Sequence, residues 1–212
     1  YIISSLASQG FEEVIITTSY LYTQIQHYFK DGSDYGLRIF YSREEVPLGT
    51  AGGVKAAMKY VEGEAFAVIQ GDNITSVSLA DEMAYHREKD GIATLAVKRM
   101  PEPWRYGVLE VDEDKRITRF LEKPPPEQCF SDLVSIGLYV IEPEAMEYVP
   151  EGKEFDFAKD LFPRLLKEGY KLYAYETSEF WADIGSLQGY MEAKNWVLSQ
   201  QTPHVSERAE LG

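Results

Sequence analysis

Cysteine is almost absent from this chain. Cys129 is the only one in 212 residues, so no intrachain disulfide can form, and a reducing compartment such as the cytoplasm is the expected location. Long apolar runs are missing too. No stretch approaches the ~18 apolar residues that cross a bilayer. Basic residues are scarce: 21 Lys and Arg face 35 Asp and Glu, a net charge of −14. That argues against a general nucleic-acid or anionic-membrane surface, both of which need a basic face. An anionic small substrate stays compatible, because a pocket can be locally basic. The three histidines, His27, His86 and His204, are scattered without zinc-ligand spacing. The two that fall on expected helices, His27 and His86, read as solvated or packed. A lone cysteine without a partner gives no thiol catalysis, and no Gly-x-Ser-x-Gly elbow occurs. What remains is ordinary: 44% apolar and 26% charged residues describe a globular chain, not a disordered or collagen-like one. A chain of this length buries roughly 70% of the surface its unfolded form exposes, so it needs neither disulfides nor metals for stability.

The chain opens on Tyr1 inside an apolar-periodic segment (Tyr1, Ile2, Ile3, Leu6) with no capping residue ahead. It stops at Ala209-Glu210-Leu211-Gly212 with no closing element. Both ends suggest an excerpt. Between them, helical periodicity to Gly10, at 20–29, at 50–60 and at 78–89 alternates with β-branched or apolar runs at 13–18, 37–41, 65–70 and 92–98. Such alternation predicts right-handed parallel units, with helices on both faces of a sheet. The middle changes character. Segments 107–111 and 117–122 alternate about an Asp112-Glu113-Asp114-Lys115 turn, as a hairpin does. An apolar strand at 134–141, a short helix from Pro143 and a helix at 155–167 follow. Short strands at 171–175 and 180–182 and a helix at 186–198 complete the body.

In open α/β sheets, ligands bind beyond the carboxyl ends of the strands. Asp72 follows the strand 65–70, and Asp183 follows 180–182. Converging there, they could hold Mg²⁺, which usually takes one or two carboxylates plus substrate phosphates. The alternative is that each caps the next turn or helix. The loop Pro47-Leu48-Gly49-Thr50-Ala51-Gly52-Gly53 opens a helix, whose free N–H groups suit anionic or polar ligands. It is neither a Walker loop nor the dinucleotide fingerprint, and a plain structural turn accounts for it equally. Glu122-Lys123-Pro124 ends a strand with a rigid exit through Pro125 and Pro126. There Lys123 can meet a phosphate and Glu122 can accept from hydroxyls; an exposed ion pair is the alternative. Tyr106-Gly107 and Trp181 add a close backbone approach and an aromatic wall, although Trp181 by default is a core residue.

Taken in order, these pieces resemble the sugar-1-phosphate nucleotidyltransferase (NDP-sugar pyrophosphorylase) family. The matches are Pro47-Leu48-Gly49-Thr50-Ala51-Gly52, Gly71-Asp72, Tyr106-Gly107-Val108, Glu122-Lys123-Pro124, Gly137-Leu138-Tyr139 and Trp181-Ala182-Asp183-Ile184-Gly185. The resemblance covers residues 1–199 and implies a Rossmann-like α/β catalytic domain with a mainly parallel, mixed central sheet flanked by helices. It implies transfer of a nucleotidyl group from an NTP to a sugar 1-phosphate, with Mg²⁺ and release of pyrophosphate. Asp72, Lys123 and Asp183 are then the catalytic residues, and Asp72 and Asp183 the metal ligands. Pro47, Gly49, Thr50, Gly71, Tyr106, Gly107, Glu122, Lys123, Gly137 and Trp181 are the substrate-binding set. The Pro-Leu-Gly-Thr-Ala-Gly form looks most like mannose-1-phosphate guanylyltransferases, which implies GTP and mannose 1-phosphate. Glucose-1-phosphate thymidylyl- or uridylyltransferases are the alternative, and a non-catalytic nucleotide-sugar-binding relative is a further one. No nucleic acid or membrane partner is implied, and a homo-oligomer is compatible.

Two departures bear on the ends. The family opens with a strand and a Gly-Gly-x-Gly-Thr-Arg-Leu loop that binds the NTP phosphates, and no such segment occurs in the 212 residues. The expectation is a catalytic domain lacking that strand and loop, with little activity by itself. Residues 200–212 read as a linker, with Val205–Gly212 as the start of a left-handed β-helix of hexapeptide repeats. A metal-dependent glycosyltransferase of similar build would need an Asp-x-Asp pair after the mid-sheet strand. Here Asn73 and Ile74 follow Asp72 instead.

Overall fold

The structure, a computed structural model, describes residues 1–200. The expected start of a β-helix at 205–212 lies outside the described residues. Helix α1 (Ile2–Ser8) turns Ile3 and Leu6 inward. Strands β1 (Glu13–Thr18) and β2 (Arg38–Arg43) then pair in parallel, joined through the short helix α2 (Tyr22–Phe29). Helix α3 (Gly49–Ala57) runs into a 3-10 turn ending at Tyr60. Strand β3 (Phe66–Ile69) follows, and the chain next makes a short strand β4 (Asn73–Thr75) that the sequence pattern did not suggest. Helix α4 (Leu79–Glu88) is capped by Ser78, whose hydroxyl accepts from the Asp81 N–H.

Strands β5 (Ala93–Arg99), β6 (Gly107–Val111), β7 (Ile117–Glu122), β8 (Leu133–Ile141) and β9 (Leu172–Glu176) build the main sheet in the order β7-β6-β8-β5-β9, and β3 joins it on β8. All nine residues of β8 are buried, which accounts for its unbroken apolar run. Strand β8 runs antiparallel to β3, β5 and β6, while β5 and β9 are parallel. The sheet is therefore a mixed α/β sheet, as expected, but it is not mainly parallel: β5–β9 is its one parallel ladder among the described residues, and the other four are antiparallel. Antiparallel pairs enter because the 107–122 hairpin returns the chain to the sheet as β8, running against its neighbours. Successive side chains feed opposite faces. Leu95, Val97, Tyr139 and Ile141 join the core under α3 and helix α5 (Phe162–Lys167), and Ala96, Val134, Ile136 and Leu138 join a second core with Leu6 and Leu79.

The run 155–167 is not one helix. Phe157–Leu161 forms a π-turn, and Pro163 sits in the first turn of α5, where its missing N–H has no partner to lose. Strand β10 (Trp181–Asp183) pairs with β4, not with the main sheet, and α6 (Leu187–Gln200) follows it. Among the described residues no ladder joins β1 to β3. Each keeps an edge unpaired, and a cavity of about 740 Å³ opens there, lined by Val14, Ile15, Ala67, Ile69, Val54 and Met83. No helix among the described residues is long and apolar enough to cross a membrane.

Helix α4 carries two buried titratable side chains. His86 is packed and satisfied: its ring nitrogens lie 2.8 Å from Thr94 Oγ1 and 3.1 Å from Glu142 Oε1. Glu82 is fully buried, and neither carboxyl oxygen has a hydrogen-bond partner among the described residues. Burial pushes its pKa up to about 8, with only a weaker opposing pull from the Ala96 amide. Below its ordinary value of 4.5 the group is protonated in both folded and unfolded chains. Between there and about 8 the folded chain keeps a proton that the unfolded chain has lost, so stability falls as pH rises. The loss is on the order of 5 kcal/mol across that window. Urea denaturation at a series of pH values checks this. Glu82→Gln flattens the decline between about pH 5 and pH 8, and parallel profiles for the two proteins would contradict it.

Candidate active site

The chain leaves β3 through a turn at Gly71-Asp72 and comes back as β4. Pairing with β10 sets Asn73 opposite Asp183, and the Ile184 N–H donates to the Asp72 carbonyl at 2.9 Å. Asp72 and Asp183 thus stand at neighbouring strand ends, both exposed. Asp183 closes β10 and does not follow it, one residue earlier relative to the strand end than its sequence suggests. Its Oδ1 accepts from the Gly185 N–H at 2.7 Å. Loss of water around the Asp72 carboxyl, then the Asp183 charge, push the Asp72 pKa above the ordinary carboxylate range, while Lys123 pulls it down. Those three charges share one neighbourhood.

Gly137 clasps the Asp72 turn. Between Leu95 and Val97 of β5, strand β8 advances from Tyr139 to Ser135, so β8 bulges here. Gly137 sits in that bulge at φ 78°, and its carbonyl accepts from the Gln70 N–H at 3.2 Å. The buried Asn73 amide donates to the Ile136 carbonyl at 2.9 Å. A Cβ on Gly137 would lie 2.5 Å from Asn73 Nδ2 and 3.0 Å from the Gln70 side chain, so any side chain there must push both amides aside.

Lys123 follows β7 at φ 43°, a left-handed conformation that costs a non-glycine residue about 1–2 kcal/mol. Its N–H donates to the Tyr106 carbonyl at 3.0 Å. Gly107 pairs with Glu122, and a Cβ on Gly107 would come within 2.8 Å of Glu122 Oε2. Glu122 is mostly enclosed, its side chain 18% exposed, while that of Lys123 is 66% exposed with Nζ 3.9 Å from Glu122 Oε1. The lysine is therefore free to meet a ligand. Burial raises the Glu122 pKa, and Lys123 and then Lys159 oppose that rise. The Tyr106 ring stands edge-on to Trp181 at 5.4 Å. Trp181 is half-buried in this wall, and its indole Nε1 is buried without a partner among the described residues.

The 47–53 loop docks elsewhere. Pro47 and Thr50 are exposed; Gly49 adopts φ 71°, and a Cβ there would meet the Phe155 carbonyl at 2.7 Å, so both its angle and its contact favour glycine. The Ala51 and Gly52 N–H groups both donate to the Phe155 carbonyl at 2.9 Å. These N–H groups at the start of α3 are thus not free for a ligand, contrary to expectation, because the neighbouring segment already accepts from them. Thr50 Oγ1 accepts from the Phe157 N–H at 3.0 Å and donates to Asp156 Oδ1 at 3.4 Å. Pro47, Gly49 and Thr50 therefore join the other site residues only through 155–159, whose Asp156 and Lys159 charges act on Glu122. Sequence reasoning missed Asp156, Lys159 and the clasping role of Asn73. No local signal marked them, because Phe157, Leu161 and Phe162 fit one helical face and the π-turn is set by aromatic packing around Tyr139.

Among the described residues no three metal-ligating side chains cluster. Two carboxylates do, and that fits Mg²⁺, whose remaining ligands are commonly waters and substrate phosphates.

A profile of the nucleotidyl transferase family matches residues 1–200. The chain is 34% identical to the UTP–glucose-1-phosphate uridylyltransferase of a Synechocystis species over 97% of its length, and 32% identical to the mannose-1-phosphate guanylyltransferase of Mycobacterium tuberculosis over 100%. It spans 56% and 59% of those two proteins. Among solved structures, a putative glucose-1-phosphate thymidylyltransferase of Bacillus anthracis superposes with a TM-score of 0.82 at 22% identity, covering 94% of this chain and 81% of that one. HddC of Yersinia pseudotuberculosis superposes with a TM-score of 0.77 at 25% identity, covering 92% and 83%.

Gly137→Ala tests the clasp against a matched control. Gly63 has a similar φ of 66° but nothing within 4 Å of an added Cβ. Both substitutions carry the left-handed penalty of about 1 kcal/mol. Gly137→Ala loses about 1–2 kcal/mol beyond Gly63→Ala, measured by urea denaturation, because it also crowds Asn73. Equal losses would mean that the bulge does not hold the turn.

Proposed function

Because the chain belongs to the nucleotidyl transferase family, we propose that its site transfers a nucleotidyl group from an NTP to a sugar 1-phosphate and releases pyrophosphate. GTP and mannose 1-phosphate are the proposed pair. The observation that carries the reading is the Asp72–Asp183 carboxylate pair with Lys123 beside it.

In-line attack of one phosphate on another needs positioning and charge neutralisation more than covalent help from the protein. Asp72 and Asp183 would hold Mg²⁺, which when bound offsets the charge of the two reacting phosphate groups. Held there, it would also offset the Asp183 charge, which after loss of water raises the Asp72 pKa. Lys123 neutralises the sugar phosphate. Its left-handed backbone and the bond to the Tyr106 carbonyl aim it before substrate arrives. Glu122 accepts from sugar hydroxyls, and Gly107 lets the sugar come close to the backbone. Tyr106 and Trp181 form the wall beside Asp183. Gly71 and Gly137 keep the metal turn in place, and Pro47, Gly49 and Thr50 line the base.

The choice of GTP rests on the form of the 47–52 loop. A second reading, UTP with glucose 1-phosphate, has the Synechocystis relative in its favour. A non-catalytic relative is disfavoured because Asp72, Lys123 and Asp183 are all present.

Incubating the full-length protein with each NTP and sugar 1-phosphate while following pyrophosphate decides among them. The fastest release is expected with GTP and mannose 1-phosphate. Faster release with UTP and glucose 1-phosphate overturns the choice of substrates, and no release with any pair overturns the reaction. Asp183→Asn is expected to lower kcat by about 100-fold or more, a loss of several kcal/mol of transition-state stabilisation, with the melting temperature unchanged. An unaltered kcat would remove Asp183 from the metal site.

A further inference from the structure

We propose that Lys159, on the π-turn Phe157–Leu161 that packs against β7, is a second phosphate-binding lysine of the site that holds Lys123. The inference rests on the nucleotidyl-transfer reading and adds a residue to the same site.

The π-turn fixes which side chains leave the core. Phe157, Leu161 and Phe162 are buried, and Tyr139 packs on both phenylalanines at 5.3 and 5.0 Å. Lys159 and Asp160 are left outside. Asp160 is used locally, because its carboxylate accepts from the Asp156 N–H at 2.8 Å. Lys159 forms no ion pair or hydrogen bond among the described residues. π-turns recur at functional sites, where the extra residue presents a side chain that a regular helix would turn away.

The turn also stands at a junction. It packs against α3 on one side, where Thr50 and Phe155 tie down the 47–53 loop, and against β7 on the other, which ends in Glu122, just before Lys123. The turn that carries Lys159 thus packs between the helix that follows the proposed base loop and the strand that leads to Glu122 and Lys123. Its charge reaches Glu122, as does that of Asp156.

Electrostatics explains why one lysine is insufficient. Asp72, Asp183, Glu122 and Asp156 line this region, and Lys123 stands only 3.9 Å from Glu122. A phosphate dianion entering beside Lys123 alone would meet an excess of negative charge. A second, unpaired ammonium beside Glu122 offsets that carboxylate and leaves Lys123 for the phosphate.

Isothermal titration with inorganic phosphate, mannose 1-phosphate and GTP, each with Mg²⁺, tests the proposal on the wild type, Lys159→Ala, Lys159→Arg and Lys123→Ala. Lys159→Ala is expected to weaken phosphate and mannose 1-phosphate about tenfold, or about 1.4 kcal/mol, with GTP within twofold of the wild type. Lys159→Arg is expected to recover most of that loss. In turnover, KM for the sugar phosphate rises more than kcat falls. Unchanged phosphate affinity in Lys159→Ala, with Lys123→Ala still weakened, overturns the role of Lys159 and leaves the nucleotidyl-transfer reading standing. A tenfold loss in Lys159→Ala together with no pyrophosphate from any NTP and sugar phosphate supports the lysine and overturns that reading. A wild type that binds no phosphate overturns the role of Lys159.

Discussion

The site depends on one backbone irregularity, the bulge at Gly137 in the middle of the most buried strand. A regular β8 would keep its side chains in register with β5 and leave no room for the Asn73 amide beneath it. The bulge turns the Gly137 carbonyl to the Gln70 N–H and lets Asn73 reach the Ile136 carbonyl. Those two bonds hold the turn that carries Asp72. The turn in turn sets the register of β4 against β10, and that register brings Asp183 alongside. Two carboxylates far apart in sequence are thereby fixed by a strand with no ionisable side chain at the bulge. An interior packed at native density transmits such a constraint without slack.

Charge explains the rest of the arrangement. The chain carries an excess of acid, −14 overall, and places four carboxylates around the proposed reaction centre. Left alone they would repel a phosphate. Lys123, held in a strained left-handed conformation just after β7, and the divalent cation proposed for Asp72 and Asp183 would reverse that local balance. The strain sits beside the charged cluster, where such backbone conformations persist because the surrounding structure holds them.

The strands and helices of the body were legible in the sequence because each carries its own period. The 65–70 run became β3, and the 107–122 hairpin formed about its acidic turn. Asp72, Asp183, Glu122 and Lys123 were legible because they sit next to the strand ends that those periods mark. What was hidden is long-range. Strand β4 is three residues long and exists only because β10 pairs with it. The π-turn arises where the aromatic packing of Phe157 and Phe162 around Tyr139 overrides the helical period, and Lys159 escaped notice with it. The start of α3 looked open to a ligand, yet its N–H groups bond Phe155, about a hundred residues further on.

The most direct test of the account is whether Asp72 and Asp183 together hold one divalent cation. Electron paramagnetic resonance of Mn²⁺, titrated into the protein with GTP present and then displaced by Mg²⁺, measures this. One Mn²⁺ per chain is expected, lost in both Asp72→Asn and Asp183→Asn and displaced by excess Mg²⁺. Mn²⁺ binding that survives both substitutions, or that depends on only one of the two carboxylates, would contradict it.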